Sequence, residues 1–332
     1  MSDDRSPAVP LRDMLTGGGQ TQASFWELDL HNLLKLKSFV HLGMPHVFRN
    51  LNQTFNLFEM RRRGLAPIVY LMDFRSDLVP LAFASQVDTA HEIRLYRYRP
   101  TPEEAAGGKA RERLLEDIRI DYRGPRSQGS REQLGYDKRK GPPVKLGSGR
   151  VLHVFTRPLG AAGERGVVEV PPEMRIMREH AWEGAYPTLE WLHELPAGAE
   201  DIAAGRWNEY LSVWGLPNTD INQHVNVVEY LMAAENHFTR MLFGAGLDLR
   251  AHRMTRLAMI FRKPFFAGDA YAVRGQLYRH GDAKVMNATV HRVTPEGEPE
   301  ARPSVGMRCE GVVVHAGAEG IAPAPALAQD AS

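Results

Sequence analysis

"LPNTDINQHVNVVEYLMAAENHF", Leu216 to Phe238, begins with polar side chains and runs straight into a helical pattern. Val227, Val228, Leu231 and Phe238 recur at the spacing of one helix face, which predicts a helix from about His224 to Phe243. Glu235 falls on that face, eleven residues past His224, where a buried surface seldom carries a carboxylate. Ahead of the helix, Asp220, Asn222 and His224 stand two apart. In an extended lead-in, alternate residues share a face, so the three would converge beside the helix start. A helix start presents unpaired N–H groups and the positive end of the macrodipole, an arrangement that suits an oxyanion or a polarised carbonyl. A carboxylate or imidazole placed there can activate water or attack directly. A plainer reading is open too: Asp220 and Asn222 are good caps, and "PNTD" is an ordinary turn.

Around this helix the second half reads as a strand at "RWNEYLSVW", then four strands at "MTRLAMIFR", "AYAVRGQLYR", "AKVMNATVHRV" and "VGMRCEGVVVH", some separated by "AGD" and "HGD" turns. The first half offers "FWELDLHNLLKL", a helix near "HVFRNLNQTFNLFEMRR", and strands near "APIVYLMDF", "PLAFASQV" and "EIRLYRY". Gly64-Leu65 precedes Leu95-Tyr96-Arg97 by 31 positions, and Gly246-Leu247 precedes Leu277-Tyr278-Arg279 by the same 31. Asn50 and Glu59 are nine apart, as are Asn226 and Glu235. The shared order of elements points to an internal duplication. The expected divisions are a structureless 1–24, a first unit over 25–190, a linker at 191–205, a second unit over 206–316 and a structureless 317–332. The first unit carries a long polar insertion around 98–149, with a strand embedded at "LLEDIRIDY".

The bulk numbers exclude several classes. Lys+Arg and Asp+Glu number 41 and 40, so no general attraction to nucleic acid is implied. The chain has no apolar run long enough to span a membrane, and "MSDDRSPAVPLRD" lacks the apolar core of a signal peptide, so the cytoplasm is expected. The one cysteine, Cys309, sits in a strand pattern and reads as a small buried residue. The 13 histidines form no metal-binding spacing, and no glycine-rich phosphate loop follows a strand, so neither a metal nor another cofactor is expected.

"DINQHVNVVEYL" resembles the signature of acyl-ACP thioesterases of the plant and bacterial type, Asp-x-Asn-x-His-Val-Asn-Asn-x-x-Tyr. Asp220, Asn222, His224, Val225, Asn226 and Tyr230 match it, and Val227 replaces the second Asn. A looser version marks the 4-hydroxybenzoyl-CoA thioesterase group. The resemblance runs from about Trp207 to Val293, and the first half resembles the family in layout only. It implies an α+β double hotdog, two tandem domains in which an antiparallel sheet wraps a long helix. It also implies a thioester hydrolase acting on acyl-CoA or an acyl carrier protein, as in fatty acid biosynthesis or polyketide chemistry. Asp220 would act as base or nucleophile, His224 would orient or shuttle protons, and Asn222 would position water or the carbonyl. Val225, Asn226 and Tyr230 would surround the substrate, and Arg262 and Lys263 would meet the carrier's phosphates.

The plant-type pattern has an acid two residues past Arg262, where this chain has Pro264, and Glu235 is the expected substitute. His46-Val47 stands in a comparable place in the first half with no Asp ahead of it, so one working site per chain is expected, with the first half as scaffold and acyl-pocket wall. The alternatives are a dehydratase or acyltransferase acting on a carrier-bound chain, or a non-catalytic acyl-binding protein. A homodimer of double hotdogs is a further expectation.

Overall fold

The computed structural model describes residues 11–29, 32–82, 84–106, 111–127, 140–157, 160–161, 164–207, 212–220 and 223–314. Its elements are β1 (Leu15–Gln22), α1 (Leu36–Thr54), α2 (Leu57–Arg62), β2 (Ala66–Ser76), β3 (Gln86–Tyr98), α3 (Pro102–Ala106), β4 (Arg113–Ser127), β5 (Lys140–Thr156), β6 (Glu179–Ala181), α4 (Leu189–His193), β7 (Glu200–Trp207), β8 (Ser212–Val213), α5 (Val227–Gly244), β9 (His252–Phe261), β10 (Ala270–His280), β11 (Ala283–Arg292) and β12 (Val305–Val313).

The helix predicted from the apolar spacing is α5. Tyr230, Leu231, Ala234, Phe238, Met241 and Leu242 are buried along it, and Asn226 caps it by accepting the Val228 N–H. It begins three residues later than expected, because His224 and Val225 are held in bridges to Phe266 and Thr219. The first-half helix, expected near 46–62, instead starts at Leu36 and breaks after Thr54. Asn56 then starts α2 by accepting the Glu59 N–H at 2.9 Å.

The strands form one sheet in the order β1-β3-β4-β5-β2-β9-β12-β11-β10-β7, with β6 on β3 and β8 on β10. Apart from the parallel β3–β6 contact, neighbouring strands are antiparallel. Each half contributes five strands to the main path, and β2 and β9 are the seam. Both long helices pack on the same face, sharing a core that includes Phe39, Val47, Phe74, Ile118, Leu231, Phe238, Leu257 and Met259. On the opposite face Tyr70, Tyr98, Trp182 and Tyr186 cluster around Leu71, Leu152 and Ile260. This is the α+β double hotdog that the sequence implied. Cys309 is buried in β12, as its strand pattern predicts. Among the described residues no helix is long and apolar enough to cross a membrane.

Two stretches depart from expectation. The N-terminal 24 residues were expected to lack structure, yet "LTGGGQTQ" is β1, paired along its length with β3. Its glycines hide it from any apolar alternation and have a packing reason. A Cβ on Gly19 would fall 2.2 Å from the His46 ring, and one on Gly17 would fall 2.6 Å from Asn50 and His91. The polar insertion around 98–149 supplies β4 and β5, the two longest strands. Charged residues masked them because pairing neutralises the charge: Asp117 is held by Arg150 at 2.7 Å and Glu116 by His153 at 2.6 Å, each acid buried. The expected linker at 191–205 holds the end of α4 and most of β7.

Candidate active site

The lead-in to α5 is a closed loop and not an extended segment. Thr219 and Val225 form an antiparallel bridge, and the Asp220 N–H donates to the His224 carbonyl at 2.9 Å. The Gln223 N–H donates to the Asp220 carbonyl at 2.9 Å, which requires a left-handed Gln223 at φ +65°. Asp220 and His224 are therefore joined through their backbones across a turn, both half-buried, and alternation along a strand is not what brings them together. Asn222, the third residue of the predicted constellation, lies outside the described residues.

Two rails hold this loop. The first is the 3₁₀ turn Leu216–Asn218, where Asn218 Oδ1 accepts the Gly215 N–H at 2.7 Å and Asn218 Nδ2 donates to Glu229 of α5 at 2.8 Å. The Asn226 N–H then donates to the Asn218 carbonyl at 2.7 Å. The second is the turn after β9. The Val225 N–H donates to the Phe265 carbonyl at 2.9 Å, and His224 bridges Phe266, whose ring meets the imidazole edge-on at 5.2 Å. Neither Asn218, Glu229 nor Asp269, which closes the second turn, stood out in the sequence. Each is a common turn or helix residue whose partner is fixed only by the fold.

The remaining predicted residues take different places. Val225 is buried, and Asn226 is the helix cap. Tyr230 is 2% exposed, and its hydroxyl accepts the Phe265 N–H at 3.2 Å, so it braces the second rail from beneath. Burial first, with help from the negative Asp269 and Asp220, pushes that hydroxyl well above its ordinary pKa, so it keeps its proton. Arg262, Lys263 and Pro264 are exposed just ahead of the turn, and Lys263 pairs with Glu300 at 3.0 Å.

Glu235 does not join Asp220 and His224. It sits roughly 12 Å along the helix axis from Val227, at about 1.5 Å per residue. Its carboxylate accepts the Leu36 N–H at the start of α1. It lines a cleft of about 280 Å³ together with Asp29, Lys35, Leu36, Thr239 and Arg253, a set drawn from both halves that includes no residue of the Asp220 loop. Burial raises its pKa, and Lys37, Lys35 and the Leu36 amide pull it back. Its place is therefore in this cleft beside α1.

The cleft reveals the true counterpart of the candidate loop. Leu28 and Leu34 form an antiparallel bridge, the Asp29 N–H donates to the Leu33 carbonyl at 2.9 Å, and Asn32 is left-handed at φ +59°. The pairs Asp29 and Asp220, Asn32 and Gln223, Leu33 and His224, and Lys35 and Asn226 all lie 191 positions apart, as do the first residues of α1 and α5. The earlier alignment of His46-Val47 with His224-Val225, and of Asn50 with Asn226, is thus displaced. The first half does keep the Asp. It has Leu33 in place of the histidine, and Asp29 is ion-paired to Arg253 at 2.7 Å.

The sequence matches no protein-family model, and no curated protein matches it. Solved structures do share its fold. One assigned as an oleoyl thioesterase from Lactobacillus plantarum is 10% identical, with 91% of this chain and 98% of that chain covered and a TM-score of 0.58. An acyl-ACP thioesterase from Bacteroides thetaiotaomicron is 12% identical over 90% of this chain and 97% of that one, with a TM-score of 0.52. The 12:0-ACP thioesterase from Umbellularia californica is 12% identical over 90% and 94%, with a TM-score of 0.53. At these identities the likeness establishes a shared fold.

Proposed function

We propose that the chain is a thioesterase that hydrolyses an acyl-CoA or acyl carrier protein thioester at the start of α5. The observation that carries this reading is the difference between the two equivalent loops. Both keep the Asp and the turn, and the residue whose carbonyl accepts the Asp N–H is His224 in the second and Leu33 in the first. The double-hotdog likeness to the three thioesterases supports it.

In this reading the thioester carbonyl lies over the start of α5, where the positive end of the helix dipole stabilises the oxygen as it becomes negative. Asp220 takes a proton from water, the water oxygen bonds to the carbonyl carbon, and the carbon–sulfur bond breaks. His224 delivers a proton to the departing thiolate, and Asn222 orients the water or the carbonyl. Asn226 fixes the helix start, Val225 and Tyr230 form the wall behind it, and Arg262 with Lys263 offers a cationic rim to the carrier's phosphate.

The test is Asp220→Ala in purified protein, assayed across acyl-CoA and acyl carrier protein chain lengths. Turnover should fall by about 10²-fold or more, the scale of a lost general base, with the fold intact by circular dichroism. Unchanged turnover would sink the assignment. Product analysis separates the alternatives. Free acid means hydrolysis, a new double bond or a transferred acyl group means another reaction, and tight binding without product means an acyl-binding protein.

A further inference from the structure

The residue that closes the turn after β9 is Asp269, and its carboxylate is committed twice through one oxygen. Asp269 Oδ2 accepts the Phe266 N–H at 2.8 Å and an Arg292 Nη2 donor at 2.8 Å. The same Arg292 nitrogen donates to the Pro264 carbonyl at 2.9 Å, and the guanidinium lies over the Phe265 ring at 5.4 Å. Arg292, at the end of β11, thus grips the turn at both ends, at Pro264 and at Asp269. Phe266, fixed between them, is the residue that His224 bridges and the ring against which the imidazole rests. The turn is tied to the sheet as well: the Gly268 N–H donates to the Trp214 carbonyl at 2.7 Å, and the Trp214 N–H donates to the Asp269 carbonyl at 3.0 Å.

We propose that Asp269 and Arg292 are a positioning pair that sets the place of the His224 imidazole through Phe266. This inference rests on the reading that His224 moves a proton during hydrolysis. Both side chains hold the turn itself, at Pro264, Phe265 and Phe266. Their effect is geometric: a proton-transfer group must stand within hydrogen-bond reach of its partner, and a displacement of about 1 Å can cost on the order of 10²-fold in rate. The pair is partly buried, the Arg292 side chain 29% and that of Asp269 23% exposed. The chain thus carries an acid at this turn after all. It lies five residues beyond Pro264 and acts on the backbone under His224.

The test uses Asp269→Ala, Asp269→Asn and Arg292→Lys in the full chain, with thermal melts to confirm folding. Two signals are followed: kcat and KM on the best thioester, and the His224 ring resonances in a ¹H–¹³C spectrum, assigned by their loss in His224→Gln. Asp269→Ala should lower kcat about ten- to a hundredfold with KM within about twofold, and should shift the His224 signals. Asp269→Asn, which keeps an acceptor for the Phe266 N–H, and Arg292→Lys, which keeps the charge, should each recover part of the rate and part of the shift. His224 signals unmoved in folded Asp269→Ala would overturn the proposal whatever the kinetics. A moved resonance supports the positioning role even if Asp220→Ala retains full turnover, an outcome that removes the hydrolytic reading alone.

Discussion

The loop at Asp29 and the loop at Asp220 share a bridge, two hydrogen bonds and a left-handed residue, yet they hold different chemistry. In the first, Asp29 is spent on Arg253, a leucine occupies the histidine's place, and the cleft beside it is capped by Glu235 from the other half. In the second, the Asp220 backbone bonds to His224 across the turn, and Asn226 replaces Lys35 as the helix cap. Backbone geometry was retained where it closes each helix, and side-chain chemistry was free to change. An aspartate at this position can thus be committed to an ion pair. What its neighbours leave it to do decides.

Substitutions can break that contrast. The largest effect should come from comparing Asp220→Ala with Asp29→Ala. The first should remove about 10²-fold or more of the turnover. The second should leave turnover within about twofold and cost about 1–3 kcal/mol in chemical denaturation, the value of a lost charge-assisted bond. Equal losses of activity in the two would erase the distinction.

A second contrast runs between His46 and His237, which occupy equivalent positions on α1 and α5. His46 Nε2 lies 2.8 Å from Thr21 Oγ1, whereas among the described residues neither His237 nitrogen has a partner. Burial holds His237 down at about 4 against an ordinary 6.5. The folded protein thus keeps it neutral while the unfolded chain protonates it. This group's contribution is complete above about pH 6.5 and drains as the pH falls toward 4. His237→Leu should lose less stability across that window, by about 2–3 kcal/mol near pH 4. Parallel pH–stability curves for the variant and the wild type would show the assignment to be mistaken.

Smaller effects should follow at Glu235 and at the cationic rim. Because burial raises its pKa, an ionised Glu235 is a cost above its titration range, and the cost vanishes in acid. Glu235→Gln should raise the melting temperature by a few degrees at neutral pH, converge with wild type near pH 4, and leave turnover alone. A collapse of turnover would return Glu235 to the reaction. Removing Arg262 and Lys263 together should raise KM less than about fivefold with kcat unchanged, since exposed ion pairs are worth ~0–1 kcal/mol. That increase should fade with added salt.

The sequence exposed the second half well, because its helix and four strands carry clean apolar periods. The polar motif also stood out, although the loop is closed and Asn226, not Asp220 or Asn222, is the helix cap. The first half was harder for definite reasons. Glycine strand β1 has no apolar face to display, and β4 and β5 carry charges that only pairing makes buriable. The two loops share their backbone bonds and one left-handed residue but differ in the side chains that a comparison of letters depends on. Asn50 and Glu59 repeated the spacing of Asn226 and Glu235 without sharing their place.

The seam between β2 and β9 has its own consequence. Arg256 of β9 reaches Asp73 of β2 at 2.8 Å and Glu310 at 3.0 Å. Two identical strands could match charges across such a seam only by carrying both signs themselves. Joining the halves in one polypeptide lifts that demand, since each strand always meets the other and never its own copy. Covalent linkage makes the pairing of β2 with β9 intramolecular, so the two helix starts are free to carry different side chains.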